Sequence, residues 1–184
     1  MAHATGRQYL KPGVLPSMWC SGCGIGTMLG ALLRAFEELG YTRTDTVVVT
    51  GIGCTGKLDD YLLTNALHTT HGRALAYATG IKAFKPSLKV VVVMGDGDSV
   101  TIGGNHFIHA ARRNIDLTAI VLNNYNFGMT GARRQVRRPL AVSPALQPGA
   151  IRNGSWTSVH WPTPSGQTTS RARRLTTAGR CRKS

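Results

Sequence analysis

The sequence predicts an α/β fold built on a parallel sheet, and two apolar runs with a helical pattern between them carry that prediction. Residues 90–94 read VVVVM and stop at a Gly-Asp-Gly turn, and residues 120–122 read IVL and stop at Asn123 and Asn124. Such β-branched runs are typical of strands buried on both faces. Residues 105–113 have helical spacing, so the unit is predicted to be strand, crossover helix and parallel strand.

The other predicted elements continue this alternation of helix and strand. Residues 26–39 have apolar residues at helical spacing and end before Gly40, a favourable C-cap. Another strand is predicted over residues 46–50 and another helix over 74–84. The full predicted bounds of the two central strands are 88–94 and 117–122, and those of the crossover helix are 105–113. The pattern therefore predicts a partial doubly wound parallel sheet within residues 1–131.

Polar residues follow both central strands at the point where each strand ends. Asp96 follows the first strand, and Asn124 follows the second, 28 residues later. Because the carboxyl ends of parallel strands meet at one edge, these oxygens can share a cation, and hard oxygen ligands suit Mg²⁺ with a diphosphate. Gly95 and Gly97 would let the backbone approach the phosphates. The N-terminal amides of the helix that begins near residues 102–104 would also face them. The alternative is an ordinary strand–loop–helix turn with a solvated carboxylate.

Three of the four cysteines lie beside glycines in predicted loops. Cys20 and Cys23 form a Cys-x-x-Cys pair, Cys54 lies in another loop, and Cys181 is near the C-terminus. Two thiolates on one turn and a third from a separate loop can supply most of a metal or iron–sulfur site. A thioredoxin-like redox pair is the alternative for Cys20 and Cys23. We see no secretory segment, so we expect a cytoplasmic protein without structural disulfides.

The net charge of +14 is unevenly distributed along the chain. Residues 1–131 contain 11 basic and 8 acidic residues, whereas residues 132–184 contain 11 basic residues and no acidic ones. A segment of that length ordinarily holds about six carboxylates. Because the excess charge lies in one tail, the charge argues against a nucleic-acid-binding domain. No apolar run approaches the ~20 residues that cross a bilayer, so we expect no membrane partner.

Residues 132–184 are predicted to be a disordered basic tail, because few apolar side chains offset the cost of ordering the backbone. Three explanations compete: a basic tail that binds RNA or acidic surfaces through Trp156 and Trp161, a divergent ending, and out-of-frame translation starting close to Gly131 or Ala132. We favour the third, since GC-rich coding sequence read out of frame tends to yield Arg, Pro, Ala, Gly and Ser. The nucleotide sequence around the Gly131 codon would decide.

Seven motifs, in this order, resemble those of the β subunit of 2-oxoacid:ferredoxin oxidoreductases, especially the 2-oxoglutarate type. They are WCSGCG at 19–24, GIGCTGK at 51–57, HGRA at 71–74, GDGD at 95–98, IGGNH at 102–106, RRNID at 112–116 and NNYNFGMTG at 123–131. Gly-Asp-Gly followed by Asn-Asn at this distance also resembles the thiamine diphosphate motif. The resemblance runs from about Lys11 to Gly131.

This resemblance implies an incomplete thiamine diphosphate-binding α/β domain over residues 1–131. The implied reaction is oxidative decarboxylation of a 2-oxoacid, 2-oxoglutarate being favoured, with coenzyme A and with electrons passed one at a time to ferredoxin. The implied cofactors are thiamine diphosphate, Mg²⁺ and a [4Fe-4S] cluster. An α subunit would complete the active site, so we expect a lone β chain to be inactive.

The resemblance also assigns site residues. The implied Mg²⁺ ligands are Asp96, Asn124 and the backbone carbonyl of Asn126, and the implied cluster ligands are Cys20, Cys23 and Cys54. The fourth cluster ligand would come from a later segment, for which Cys181 is the remaining candidate. Further cofactor contacts are assigned to Gly95, Gly97, Asp98, His71, Arg73 and Cys54.

Two residues are predicted to act in the reaction. Lys57 would place a cation near the cofactor and bind a substrate carboxylate, and His71 would touch the cofactor. The alternatives are a solvated lysine at position 57 and a capping or surface role for His71 and Arg73. For the whole chain, the alternative functions are a non-redox thiamine diphosphate decarboxylase or synthase and a truncated, noncatalytic remnant.

Overall fold

The computed structural model describes residues 6–124, 128–130 and 156–160. Eight regular elements lie in these ranges: α1 (Gly24–Glu38), β1 (Thr46–Thr50), β2 (Asn65–His68), α2 (Ala74–Phe84), β3 (Lys89–Gly95), α3 (Gly104–Arg113), β4 (Thr118–Leu122) and β5 (Trp156–His160). Short 3₁₀ helices span Arg7–Tyr9 and Gly56–Tyr61, and a π-helical turn spans Gly97–Ile102. No helix in the described ranges is both long and apolar enough to cross a bilayer.

The strands form one sheet in the order β2-β1-β3-β4-β5. The first four are parallel to their neighbours, and β5 pairs antiparallel with β4. Strand β3 lies at the centre, which explains its continuous apolar run, because a central parallel strand is covered on both faces. The predicted parallel α/β sheet is confirmed.

Alternate side chains of the strands pack into two separate hydrophobic cores, one on each face of the sheet. On one face, Val48, Val91 and Val93 pack with the apolar side of α1, which includes Leu29 and Phe36. On the other face, Val47, Val49, Val90, Val92 and Met94 pack with residues of α2 and α3. Helices on both faces of a parallel sheet make the fold doubly wound, as predicted.

The element bounds agree with the sequence pattern except for β2 and β5. Strand β1 and helix α2 have the predicted bounds, and α1, β3, α3 and β4 differ from prediction by one or two residues at one or both ends. Strand β2 was not predicted, because all four of its residues are exposed and its NALH sequence has no strand periodicity. Its strand conformation comes from backbone pairing with β1.

Five residues of the predicted disordered tail are paired with the sheet. Strand β5 runs alongside β4, with Trp156 opposite Leu122 and His160 opposite Thr118. For these five residues the prediction of disorder differs from the structure, because backbone pairing with an edge strand does not depend on apolar periodicity. Residues 132–155 and 161–184 lie outside the described residues, so the prediction for them is untested.

Candidate functional site

The register of the sheet brings the carboxyl ends of β1, β3 and β4 side by side. Thr50 is opposite Val93, and Gly95 is opposite Leu122, so the segments that follow these strands are neighbours. The described residues around this edge form a crevice lined by Ile52, Gly53, Cys54, Thr55, His71, Gly95, Asp96, Gly97, Asp98, Asn124, Gly128 and Thr130. Most of the predicted cofactor residues therefore lie around one crevice.

The predicted Mg²⁺ ligands Asp96 and Asn124 line this crevice together. Asp96 is 5% exposed and directly precedes the π-helical turn. Its carbonyl accepts a hydrogen bond from Ser99 Oγ at 3.2 Å. Asn124 is exposed. A buried carboxylate and an accessible amide at one crevice suit a hard cation that also binds a ligand from solvent. The third predicted ligand, Asn126, lies outside the described residues.

Asp98 belongs to the crevice lining and connects three segments of chain. Its Oδ1 atom lies 2.5 Å from Nδ1 of His71 and accepts backbone N–H bonds from Gly72 at 2.6 Å and Ile52 at 3.4 Å. The side chain is buried, at 2% exposure. The carboxylate therefore holds the loop after β1 and the turn before α2 against the segment that follows β3.

Two glycines allow this close packing. A Cβ atom on Gly51 would overlap the carboxylate of Asp98, and one on Gly72 would overlap Ile102 and the backbone of Gly103. Gly72 also has a φ of +75°, which disfavours other residues. By contrast, a Cβ on Gly95 would make only an ordinary contact of 3.8 Å with Thr55 Oγ1. The protein itself therefore leaves room for a side chain at position 95, and the predicted requirement for glycine there would come from a bound ligand.

The structure does not place residues 102–104, whose amides were predicted to face the phosphates, at the crevice. The π-helical turn follows Asp96 directly, and α3 begins only at Gly104. Gly103 packs against the carbonyls of Asp98 and Gly72, and residues 102–104 are not among the described residues that line the crevice. Because the π-helical turn intervenes, Gly97 and Asp98 are the residues of this segment that line the crevice instead.

The two predicted basic residues lie at the margin of the site. Lys57 Nζ pairs with Asp60 Oδ2 at 3.2 Å, with side chains 39% and 55% exposed. Arg73 is exposed at the start of α2 and donates from Nη1 to the carbonyl of His71 at 3.3 Å. Neither residue belongs to the crevice lining. Their roles toward substrate and phosphate stay predictions.

The loop that carries Cys20 and Cys23 is joined to the Cys54 loop by one aromatic residue. Trp19 Nε1 donates to the carbonyl of Cys54 at 2.7 Å, and the Trp19 ring stacks on Tyr61 with centroids 4.6 Å apart. Tyr61 in turn accepts a hydrogen bond from the Met18 amide at 2.8 Å. Motif analysis did not single out these aromatics, although Trp19 lies directly before the first cysteine.

The cysteine loop borders a wide depression of about 540 Å³, which extends from Pro16 to Thr27. Cys20 is exposed, Cys23 and Cys54 are partly buried, and all three are free thiols. In the described ranges, no three His, Cys, Asp or Glu side chains converge as a metal-binding group. The three thiols are therefore on neighbouring loops but are not assembled as a ligand set. Cys181 lies outside the described residues.

Comparison with known proteins relates the crevice to a cofactor-binding domain. Residues 51–145 match the family model described as thiamine pyrophosphate enzyme, C-terminal TPP binding domain. This range includes the loop after β1 and all the predicted diphosphate and Mg²⁺ residues. It also continues past Gly131, where the recognised motifs end.

Two relatives have high sequence identity to this chain. The 2-oxoglutarate synthase subunit KorB of Archaeoglobus fulgidus is 55% identical over 140 residues, covering 76% of this chain and 52% of that protein. Its Methanocaldococcus jannaschii counterpart is 48% identical over 147 residues, covering 79% and 54%. The chain spans about half the length of these relatives.

A solved structure shares the fold. It is the 2-oxoglutarate:ferredoxin oxidoreductase from Magnetococcus marinus with 2-oxoglutarate, coenzyme A and succinyl-CoA bound. The TM-score is 0.67 at 37% identity, and the match covers 73% of this chain and 45% of that chain.

Proposed function

Because the chain belongs to the thiamine pyrophosphate enzyme family, among the β subunits of 2-oxoacid:ferredoxin oxidoreductases, we propose that its crevice binds thiamine diphosphate through Mg²⁺. The observation that carries the proposal is the placement of Asp96 and Asn124 at one crevice by the β3–β4 register. Their oxygens suit Mg²⁺, whose charge would offset that of the diphosphate. Gly95 and Gly97 leave room for the phosphates to approach the backbone.

The bound cofactor would supply a carbanion that attacks a 2-oxoacid and an electron sink for the pair left after CO₂ departs. The protein's part is to hold the cofactor and to place polar groups beside it. Asp96 and Asn124 would hold the metal, the amides of the π-helical turn would donate to phosphate oxygens, and His71 would provide an imidazole at the crevice wall. Lys57 pairs with Asp60, and the remaining donors of its ammonium group would be open to a substrate carboxylate.

We further propose that the assembled enzyme oxidises 2-oxoglutarate with coenzyme A and ferredoxin, and that an α subunit completes its active site. The support is the similarity to two 2-oxoglutarate synthase subunits and to a structure that holds 2-oxoglutarate, coenzyme A and succinyl-CoA. Free thiols fit a reducing compartment, so we place the complex in the cytoplasm.

We propose that Cys20, Cys23 and Cys54 bind a [4Fe-4S] cluster. The support is the hydrogen bond from Trp19 to the Cys54 carbonyl, which already holds the loops adjacent. Thiolates are the ligands that iron–sulfur clusters prefer.

The first prediction tests the metal site. In the complex with its α subunit, Asp96→Ala should abolish Mg²⁺-dependent binding of thiamine diphosphate, because loss of the metal leaves the negative charge of the diphosphate uncompensated. Isothermal titration calorimetry at fixed Mg²⁺ measures the loss. The matched control is Asp116→Ala, which removes an exposed carboxylate paired with Lys82. Equal affinity for both variants and the parent would refute the proposed metal site.

The second prediction tests the cluster. In the same complex, purified without oxygen, each of Cys20→Ser, Cys23→Ser and Cys54→Ser should lower iron content and ferredoxin reduction, because the hydroxyl is a poor ligand for iron. Cofactor affinity should change less. Cys181→Ser provides a comparison on the distant fourth cysteine. Full iron content in all three loop variants would exclude this ligand set.

A further inference from the structure

We propose that Asp98 is a positioning residue, which holds the proton of His71 on Nδ1 and turns Nε2 toward the crevice. This differs from the direct cofactor contact that the motif predicted for Asp98. This proposal depends on the proposed function in one respect only, namely that the ligand facing His71 is thiamine diphosphate. The imidazole geometry itself is a property of the unliganded chain.

The environment of Asp98 argues against direct contact with a diphosphate. The residue is 2% exposed, and the carboxylate packs against the bare Cα of Gly51, where no side chain could fit. A carboxylate that touched the diphosphate would add like charge to it. Here the donors that face Oδ1 come from the protein: the amides of Gly72 and Ile52 and the ring of His71.

The hydrogen bond between Asp98 and His71 determines the histidine tautomer. An ionised carboxylate oxygen can only accept, so Nδ1 of His71 must carry the proton of the 2.5 Å contact. In a neutral imidazole the other nitrogen, Nε2, then carries no proton and can accept one. The Nδ1 edge faces Asp98 while the residue lines the crevice, so the Nε2 edge is the one turned away from Asp98.

The surrounding backbone makes this arrangement rigid. The amide next to His71, that of Gly72, donates to the same Oδ1 atom, so the carboxylate holds both the ring and its backbone. Gly72 is packed against Ile102 and Gly103, which leaves the turn little room to move. We therefore infer that Asp98 reduces the freedom of His71 before any ligand binds, so that the imidazole is preorganised toward the cofactor.

The experiment is ¹⁵N–¹H correlation spectroscopy of the full chain labelled with ¹⁵N-histidine. In the parent chain, the His71 ring should show the Nδ1–H tautomer, with its Nδ1 proton shifted downfield by the carboxylate. In Asp98→Asn the ring should become a mixture of tautomers, because the amide can both donate and accept. An Nε2–H ring in the parent chain would overturn the proposal, and this measurement does not require the variant to fold.

A second Asp–His pair provides the matched control. Asp59 Oδ1 lies 3.3 Å from Nδ1 of His68, outside the crevice lining. Asp59→Asn should perturb the signals of His68 and leave the tautomer of His71 unchanged. A change at His71 in this variant equal to that in Asp98→Asn would show a general structural effect and would refute a specific role of Asp98.

A binding measurement separates the inference from the proposed function. In the α-subunit complex, Asp98→Asn should weaken thiamine diphosphate binding by about 10- to 100-fold, the effect of losing one charge-assisted hydrogen bond, whereas Asp96→Ala should abolish binding. Absence of binding by the parent complex would refute the proposed function, while the tautomer would still decide the inference. Unchanged affinity in Asp98→Asn with a switched tautomer would refute preorganisation toward the cofactor.

Discussion

The crevice and the cysteine loops are adjacent regions with different degrees of assembly. In the crevice, the carboxylate of Asp98 is buried and bonded to groups from the two neighbouring segments. In the cysteine loops, Cys20 is exposed, and the described part of the chain contains no converging set of three metal-binding side chains. A hydrogen bond from Trp19 joins the two cysteine loops.

This difference shows which sites a sheet can build by itself. Strand register places the ends of β1, β3 and β4 together, so the crevice exists as a consequence of the hydrogen-bonded ladder. Loop thiols have no such ladder, and their separation is set by a few side-chain contacts. We therefore expect substitutions that disturb packing at the crevice to lower the stability of the fold. Loss of the Trp19 hydrogen bond should instead increase the accessibility of the cysteine loops.

The largest expected effect is that of Gly51→Ala. The added methyl group would overlap the Asp98 carboxylate and displace the loop after β1, destabilising the fold by about 3 kcal/mol. Urea unfolding measures the change. The control is Gly26→Ala in α1, where a Cβ meets no atom within 4 Å and should stabilise the chain by about 0.5 kcal/mol. Equal stabilities for both variants would show that the crevice is loosely packed.

A smaller effect is expected from Trp19→Phe. Phenylalanine keeps the stacking on Tyr61 but loses the hydrogen bond to the Cys54 carbonyl, which should cost about 1 kcal/mol and loosen the two loops. Thiol labelling should then modify Cys54 faster, while the already exposed Cys20 reacts at its former rate. An unchanged rate at Cys54 would mean that other contacts hold the loops together.

The smallest effect is expected at Tyr41, which lies outside the crevice lining and the cysteine loops. Burial, followed by the charges of Asp116 and Asp45, raises the pKa of Tyr41 above its ordinary value of 10.0. The neutral phenol is therefore favoured in the folded state. Its stabilisation is complete below pH ~10, the unfolded-state pKa, and is lost as pH rises through the higher folded-state value.

Urea unfolding between pH 8 and pH ~11.5 checks this sign, with Tyr41→Phe as the control. The stability of the parent chain should decrease more than that of the variant at the alkaline end. Parallel curves would show that the phenol does not contribute. The same series in Trp19→Phe should leave the Tyr41 contribution intact if the two regions are independent.

The prediction of the fold succeeded where burial leaves a pattern and failed where it does not. The apolar runs of β1, β3 and β4 and the spacing of α2 were sufficient to place those elements, because their side chains feed the two cores. Strand β2 has four exposed residues, so its sequence carries no such pattern. The same limit applies to β5, whose assignment rests on its pairing with β4.

For the site, the sequence by itself determined the residue types and their order: a carboxylate after β3, an amide after β4 and cysteines in two loops. Only the tertiary structure decided that Asp98 faces His71, that Gly51 must lack a side chain, and that Trp19 joins the cysteine loops. The reason is physical. Periodicity and motif spacing report local burial and local conformation, whereas these three contacts join residues that are 27 to 47 positions apart, and only the packing of the folded chain sets their distances.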